Sequence, residues 1–157
     1  MISDDVSFFE LSHRGVLILS GDDHRSFLQG LVSADIRTVT EKKSLWTGFL
    51  TPQGKILHEF FVYQHENSLL LEGEKDRLDD LRSRLLRYRL RAKVTLEHAP
   101  ERVVFGVLPS FHTRMEALPE AGAMIPFSGG TASIDPRLSA GGIRVVTTRQ
   151  AMPDAAL

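Results

Sequence analysis

The apolar residues near the start of the chain predict a buried strand followed by a short helix. A continuous apolar run, Val16 to Leu19, lies inside the segment 14–20 and is typical of a buried strand. A turn rich in small and acidic residues follows this run and favours the start of a helix. We predict that helix over 24–31, where three apolar residues share one face: Phe27, Leu28 and Leu31.

The middle of the chain predicts three short strands, a long helix and a fourth strand. Strand-forming residues fill 45–50, 55–63 and 68–72, and turn residues separate these segments. The clearest helix is predicted over 74–90, because its apolar residues repeat at helical spacing: Leu78, Leu81, Leu85 and Tyr88. A strand over 93–98 follows the helix. This strand–strand–helix–strand order indicates a small α+β lobe of the ferredoxin-like kind.

The last third of the chain predicts three more strands, over 102–108, 131–134 and 143–148, and a short helix over 111–118. The tail from 149 to 157 has no pattern. We therefore expect an α+β protein with antiparallel or mixed sheets, built as one domain or as two small lobes that share a core.

Composition and charge narrow the function classes. The chain has 157 residues, 42% of them hydrophobic and 25% charged, as in ordinary globular proteins. The net charge of −1 gives no reason to expect non-specific nucleic-acid binding. No apolar run approaches the roughly 20 residues of a membrane span, and the acidic N-terminus lacks the pattern of a secretory signal. We therefore expect a cytoplasmic protein with neither a nucleic-acid nor a membrane partner.

Cysteine and histidine usage argues against two further kinds of site. The chain has no cysteine, which excludes disulfides, a thiol nucleophile and thiolate ligation of an iron–sulfur cluster by this chain. The six histidines do not form a metal site by spacing, and we predict no metal site. His58 and His65, for example, are seven residues apart and would face opposite sides of one strand.

Two features remain open between a structural and a functional interpretation. The arginines that end the long helix are either a solvated helix end or an anion site for a ligand's carboxylates or a partner. Glu59 shares a strand face with Leu57, Phe61 and Tyr63. That face is either the solvent side of an edge strand or a buried wall, where a carboxylate needs a donor.

Several stretches, in order along the chain, carry a family resemblance. They are Ser12-His13-Arg14-Gly15, Leu19-Ser20-Gly21-Asp22-Asp23, Phe27-Leu28-Gln29-Gly30, Ser33-Ala34-Asp35-Ile36, Phe49-Leu50-Thr51-Pro52-Gln53-Gly54-Lys55-Ile56, Arg87-Tyr88-Arg89-Leu90-Arg91-Ala92-Lys93-Val94, Asp135-Pro136-Arg137-Leu138 and Gly142-Ile143-Arg144. Together they resemble the N-terminal part of the YgfZ-type folate-binding proteins. That family is part of the superfamily of the glycine cleavage T-protein, an aminomethyltransferase.

The resemblance implies a T-protein-like folate-binding fold and a division into lobes. Segments 1–44 and 100–148 would form the first lobe, and 45–99 would form an inserted ferredoxin-like lobe. The tail 149–157 would end the chain before the family's C-terminal domain, which carries a K-G-C-Y-x-G-Q-E signature absent from this sequence. We therefore expect an N-terminal fragment or a natural short form.

The resemblance also implies a tetrahydrofolate site. Aligned with the G-G-I-x-D-D hairpin of the T-protein, Glu59 takes the position of the second aspartate, which would make it the catalytic carboxylate in a transferase. His58 replaces the first aspartate, Lys55 replaces the second glycine, and the asparagine that contacts folate in the T-protein has no counterpart near Leu71-Glu72-Gly73. The expected folate-binding residues are Leu50, Thr51, Glu59, Leu71, Glu72 and Arg91, with Arg87 and Arg89 as further candidates for the folate carboxylates.

The resemblance implies three candidate functions. We rank them by the positions at which this sequence departs from the T-protein motif. The first is a tetrahydrofolate-binding protein, not itself a catalyst, that supports iron–sulfur cluster assembly or repair in client enzymes. The second is a folate-dependent aminomethyltransferase that uses Glu59. The third is an interaction scaffold that has lost folate. The expected partners are the folate itself and either iron–sulfur client enzymes or assembly factors.

Overall fold

The computed structural model describes residues 7–108, 119–127 and 129–151, which contain ten strands and two α-helices. The predicted helix over 111–118 lies outside the described residues. In chain order the elements are β1 (Ser7–Glu10), β2 (Arg14–Ser20), α1 (His24–Gln29), β3 (Leu45–Leu50), β4 (Ile56–His65), β5 (Ser68–Glu74), α2 (Leu78–Leu86), β6 (Thr95–His98), β7 (Arg102–Leu108), β8 (Met124–Ile125), β9 (Gly130–Ile134) and β10 (Ile143–Thr148).

The strands form two antiparallel sheets of five strands each. The first sheet has the order β1-β7-β10-β9-β8, and the second has the order β3-β4-β5-β2-β6. Every strand pairing is antiparallel, and the β3–β4 register shifts between Phe49 and Leu50. The structure confirms the predicted α+β class with antiparallel sheets.

The second sheet is buried on both faces, which explains its long apolar runs. Side chains on one face, such as Leu69 and Leu71, pack with the buried faces of α1 and α2. The alternate side chains, such as Leu70, pack with Val104 and Val146 of the first sheet. Because both faces exclude water, β5 is apolar at consecutive positions and does not alternate between apolar and polar residues. Each fully buried side chain of this size contributes roughly 1.5–3 kcal/mol.

The helix predicted over 74–90 is shorter at both ends. Glu74 still pairs with Arg14 across β5 and β2, so the chain is extended there and turns through Lys75–Arg77 before α2 begins. Beyond Leu86 the backbone makes two i→i−3 bonds, which tighten the last turn, and Leu90 then adopts a φ of 45°. A positive φ is incompatible with a right-handed helix, so α2 ends before the last predicted turn.

Two short strands at the edges of the first sheet are not evident in the hydrophobic pattern. β1 is exposed along its whole length, and the ring of Phe9 covers Gly106 of the neighbouring strand. β8 has only two residues and pairs with β9. A strand exposed along its length, like β1, and a strand of two residues, like β8, both lack the alternation that identifies a half-buried strand. No helix in the described ranges has the length and apolar character that crossing a membrane requires.

The division into lobes stays a prediction, and the sheet pairings bear on it. β2, from segment 1–44, pairs with β5 on one side and with β6 on the other. It therefore lies within the sheet that segment 45–99 builds. At the start of the predicted tail, Arg149–Ala151 forms a short 3₁₀ turn, and residues 152–157 lie outside the described ranges.

Candidate functional site

A buried carboxylate between the two sheets holds two arginines. Glu72 on β5 is fully buried, and Arg14 of β2 donates to it from Nε at 2.6 Å. Arg144 of β10, in the opposite sheet, donates from Nε and Nη2, both at 3.0 Å. The hydroxyl of Tyr63 donates to the same carboxylate at 3.2 Å. These charge-assisted bonds link the facing sheets at one point.

A second carboxylate completes what we call the charge cluster: Arg14, Tyr63, Glu72, Asp135, Arg137 and Arg144. Asp135 follows β9 and accepts two bonds from the Arg137 guanidinium, at 3.0 and 2.6 Å. The Arg144 guanidinium lies 3.8 Å from it. Burial alone would raise the pKa of Asp135, but the hydrogen bonds and charges of the two arginines lower it below its usual value.

Tyr63 and Arg144 have pKa values raised by their surroundings in the cluster. Burial and the Glu72 carboxylate raise the pKa of Tyr63 well above its usual value, so its hydroxyl remains a donor. Burial opposes the charge of Arg144, but Glu72 and Asp135 raise its pKa overall. Groups with such pKa values do not exchange protons near neutral pH. Tyr63, Asp135 and Arg144 therefore hold their protonation states near neutral pH and position charge and hydrogen bonds in the cluster.

All three guanidinium groups of the charge cluster lie over one aromatic ring, that of Phe61. The guanidinium carbons of Arg14, Arg137 and Arg144 lie 5.6, 4.9 and 4.1 Å from the centroid of Phe61. Phe61 occupies this position because it pairs with Glu72 across β4 and β5, on the face that meets the other sheet. Cations within about 6 Å of a ring centroid are attracted to its face.

A cavity of about 170 Å³ opens beside the cluster. Arg14, Phe61 and Arg137 form part of its wall, and Glu59 and Trp46 line it as well. Trp46 is the only tryptophan of the chain and pairs with Phe61 across β3 and β4. The further lining residues are Ile56, Leu57, His58, Gly73, Glu74, Arg77, Leu78 and Leu81. The cavity thus combines aromatic and apolar groups with two carboxylates and with guanidinium groups.

His58, at the position of the first aspartate in the aligned motif, bonds to α2. Its Nε2 lies 2.7 Å from Oδ2 of Asp80, and that oxygen also accepts from Arg84 at 2.7 Å. The hydrogen bonds from Arg84 and His58 lower the pKa of Asp80. His58 is buried and links β4 to the helix.

Two of the predicted site residues lie at the cavity or beside it. Glu59 is exposed and lines the cavity, on the strand face that it shares with Phe61. Glu72 lies behind Arg14 within the charge cluster. Folate contact by either carboxylate stays a prediction.

The other four predicted residues do not line this cavity. Leu71 is buried in the core on the helix-covered face. Leu50 and Thr51 are half-buried at the β3–β4 hairpin, where the hydroxyl oxygen of Thr51 accepts from the Lys55 amide. Arg91 is exposed on the segment that follows α2. Their role in folate binding also stays a prediction.

The arginines of the cluster were not among the predicted site residues. Arg14, Asp135, Arg137 and Arg144 all lie in stretches that carry the family resemblance, which is the signal that could have singled them out. Local periodicity could not, because Glu72 lies 58 residues from Arg14 and 72 residues from Arg144. Among the described residues, no group of three or more acidic, histidine or cysteine side chains could hold a metal ion.

Comparison with curated proteins finds iron–sulfur cluster assembly factors. A mitochondrial IBA57 homologue of Neurospora crassa is 32% identical over 95 residues, which cover 56% of this chain and 22% of that protein. The homologue of Cryptococcus neoformans is 37% identical over 90 residues, 55% of this chain and 23% of that protein. That of Aspergillus oryzae is 26% identical over 162 residues, 89% of this chain and 36% of that protein. The chain thus matches about a quarter to a third of the length of these relatives.

These relatives correct the expected location. Their names describe them as mitochondrial, which overturns the prediction of a cytoplasmic protein. The pattern of the first residues does not distinguish one compartment from another. The cytoplasmic inference therefore rested on an observation that could not support it.

The fold has a solved counterpart. No family model matches the chain. The crystal structure of the glycine cleavage system aminomethyltransferase T from Bartonella henselae aligns with a TM-score of 0.71 at 14% identity, covering 91% of this chain and 42% of that one. The predicted resemblance is confirmed: the chain has the fold of the glycine cleavage T-protein, and its sequence is similar to that of the iron–sulfur cluster assembly factors named IBA57.

Proposed function

We propose that this chain binds a reduced folate at the cavity beside Phe61 and works in iron–sulfur cluster assembly. The observation that carries the folate part is the wall of that cavity, where Glu59 lies near an aromatic ring and two arginines. The names of the curated relatives support the assembly part. The fold, which is that of a glycine cleavage aminomethyltransferase, agrees with a folate ligand.

The chemistry of the cavity suits the pterin head of a folate. A pterin is flat and has a donor-rich edge, so it requires a flat wall and an acceptor. Phe61 and Trp46 supply aromatic surface, and the Glu59 carboxylate accepts hydrogen bonds. Drug-sized ligands occupy about 300–1,000 Å³, so a cavity of about 170 Å³ accommodates the head alone. The folate tail, with its carboxylates, would extend out of the cavity.

The residues of this chain would bind and orient the folate, and the folate would serve as the one-carbon carrier. Arg137 is held by Asp135 through two of its N–H groups, which fixes its guanidinium plane beside the cavity. The charge cluster therefore keeps the wall in place before the ligand arrives. Such pre-ordering lowers the entropic cost of binding.

A second candidate function is a folate-dependent aminomethyltransferase. The observation that favours it is the position of Glu59, an exposed carboxylate at the cavity. In that reaction Glu59 would steer the folate amine. Formation of methylene-tetrahydrofolate from an aminomethyl donor, lost in Glu59→Gln, would establish this function in place of the non-catalytic one.

The folate part is tested by calorimetric titration with 5-formyltetrahydrofolate. We expect saturable binding by the parent, with a dissociation constant at least ten times larger in Glu59→Gln and in Arg137→Ala. Glu97→Gln is the matched control, because Glu97 is an exposed strand carboxylate outside the cavity wall. Trp46 reports the location of the site, because its emission should change on binding.

Equal binding by the parent and Glu59→Gln would keep the folate but remove Glu59 from the site. No binding by a folded parent would contradict the folate part and favour the interaction scaffold. The assembly part is tested separately, by the activity of a [4Fe–4S] dehydratase in cells that lack the gene. We expect the parent to restore that activity, and failure of a well-expressed parent to do so would contradict the assembly part.

A further inference from the structure

An exposed leucine adopts an unfavourable backbone conformation just after α2. Leu90 is 89% exposed and has a φ of 45°. The amide of Ala92 donates to the carbonyl of Arg89 at 2.7 Å, which closes a tight turn with Leu90 in its first central position. Glycine, asparagine and aspartate are the residues that usually occupy a positive φ in such a turn.

Leu90 is therefore unfavourable for the fold in two independent ways. The positive φ brings its Cβ close to the backbone, which a glycine would avoid. Its side chain also exposes apolar surface to water without burial in return. Strain that persists at one residue is a recognised sign of a functional position.

The turn is fixed to the rest of the molecule on both sides. Before it, the ring of Tyr88 packs edge-to-face on Phe49, with centroids 6.2 Å apart. After it, the Lys93 amide donates to Oδ2 of Asp23 at 2.7 Å, and the Asp23 amide donates to the Lys93 carbonyl at 3.2 Å. These contacts on both sides hold Leu90 in a defined position on the surface.

Basic side chains surround the leucine. Arg87, Arg89, Arg91 and Lys93 are all exposed. In residues 7–108, 119–127 and 129–151, no carboxylate forms a salt bridge with any of these four. Asp22 lines the same open surface and is its only acidic lining residue in those ranges. We call residues 87–93, which comprise this tight turn and the residues that flank it, the Leu90 turn.

We propose that the Leu90 turn is a docking surface for an acidic partner protein that carries an apolar pocket. The leucine would fill the pocket, and the arginines would pair with carboxylates around its rim. An apolar anchor indicates a protein, because a nucleic-acid backbone offers charge but no apolar pocket. The net charge of −1 also argues against a nucleic-acid partner. The proposal goes beyond folate binding, since no residue lines both this surface and the cavity beside Phe61.

The first test asks whether Leu90 serves the fold. Leu90→Gly should leave the melting temperature unchanged or raise it, because glycine adopts the positive φ freely. Leu90→Gly should bind 5-formyltetrahydrofolate as the parent does, because Leu90 does not line the cavity beside Phe61. The docking proposal therefore does not depend on whether the chain binds folate. A clear fall in the melting temperature would show that Leu90 is structural and would overturn the docking proposal.

The second test identifies the partner and measures its binding. The photo-crosslinking residue p-benzoylphenylalanine is placed at position 90 of the full-length protein in its native cells, and at position 138 as the control. Leu138 is also an exposed leucine, at 62%, but lies outside the turn. We expect an acidic protein, identified by mass spectrometry, to be crosslinked from position 90 and not from position 138.

The captured protein is then purified and titrated against three proteins: the parent, Leu90→Gly, and the double variant Arg89→Glu with Arg91→Glu. Both variants should bind at least ten times more weakly, and the affinity of the parent should fall with added salt. Equal crosslinking from both positions, crosslinking to RNA, or binding that ignores the arginine reversals would each overturn the proposal.

Discussion

Two groups of arginines in this molecule teach different things about charge. The inner group is Arg14, Arg137 and Arg144, which surround Phe61 and bond to Glu72 and Asp135. The outer group is Arg87, Arg89 and Arg91, which lie exposed on the Leu90 turn. The fold brings Arg14 to Arg137 and Arg144, which lie in the last third of the chain, whereas the outer arginines occupy alternate positions of one short segment.

The difference lies in what each group requires from its surroundings. A buried guanidinium requires a carboxylate, because desolvation without a partner is costly. An exposed guanidinium keeps its water and contributes little to stability through any surface pair. The inner group therefore has its bonds within the fold, and the outer group remains available to another molecule. Substitutions in the inner group should therefore destabilise the protein more than substitutions in the outer group.

Removal of the central carboxylate should strongly destabilise the protein. Glu72→Ala leaves Arg14 and Arg144 buried without their main counter-charge. We expect the free energy of unfolding to fall by about 3–5 kcal/mol, measured by urea denaturation. Glu72→Gln keeps the shape and loses the charge, so it separates the two contributions. A loss below about 1 kcal/mol in Glu72→Ala would mean that the arginines relax into water.

A methyl group at Gly21 should disturb the anchor of the Leu90 turn. Gly21 has a φ of 107°, and a Cβ there would overlap the Lys93 carbonyl. Gly21→Ala should lower the free energy of unfolding by about 3 kcal/mol, because the methyl group overpacks the site and the residue keeps a strained φ. Gly54→Ala is the matched control, because Gly54 has a φ of 84° with open space around it. It should cost only about 1 kcal/mol, and equal losses in urea denaturation would contradict the proposed contact.

Acid should weaken the inner group through Asp135. Its pKa is lowered in the folded state, so its pairing stabilises the protein above the pKa of the unfolded chain. That contribution disappears as the pH falls through the lowered folded pKa. At neutral pH the free energy of unfolding of Asp135→Asn should therefore be lower than that of the parent by about 1–2 kcal/mol. We expect no larger loss, because Arg137 is half exposed and water screens its charge. The difference between variant and parent should vanish in acid, as urea denaturation at successive pH values would reveal.

Most elements of the fold could be predicted from the sequence because their signals are local. The predicted strands 14–20 and 45–50 coincide with β2 and β3, since apolar runs and turn residues mark their ends. The end of α2 could not be predicted in this way. The arginines after Leu86 continue a helical pattern, but the chain turns to bring Lys93 beside Asp23. This tertiary contact overrides the local helical preference.

The candidate site was predictable only in part. Glu59 could be placed by strand alternation, and the structure has it at the cavity on the face of Phe61. The charge cluster depends on contacts between strands of different sheets, and no periodicity within one segment carries that information. The resemblance did single out the stretches around Arg14, Asp135 and Arg144, although it gave no reason for their charges. The fold supplies that reason by bringing them to one buried point.

Loss of the outer arginines should barely affect stability. Arg89→Ala and Arg91→Ala should each change the free energy of unfolding by less than about 0.5 kcal/mol, because both side chains are exposed. Arg144→Ala is the contrasting control and should cost several times more, since it leaves Glu72 short of two donated bonds. Urea denaturation measures all three. A loss above about 1 kcal/mol in either outer variant would mean that the fold itself uses the charges of the Leu90 turn. The distinction between the two groups, and with it the reason to assign the outer arginines to a partner, would then be lost.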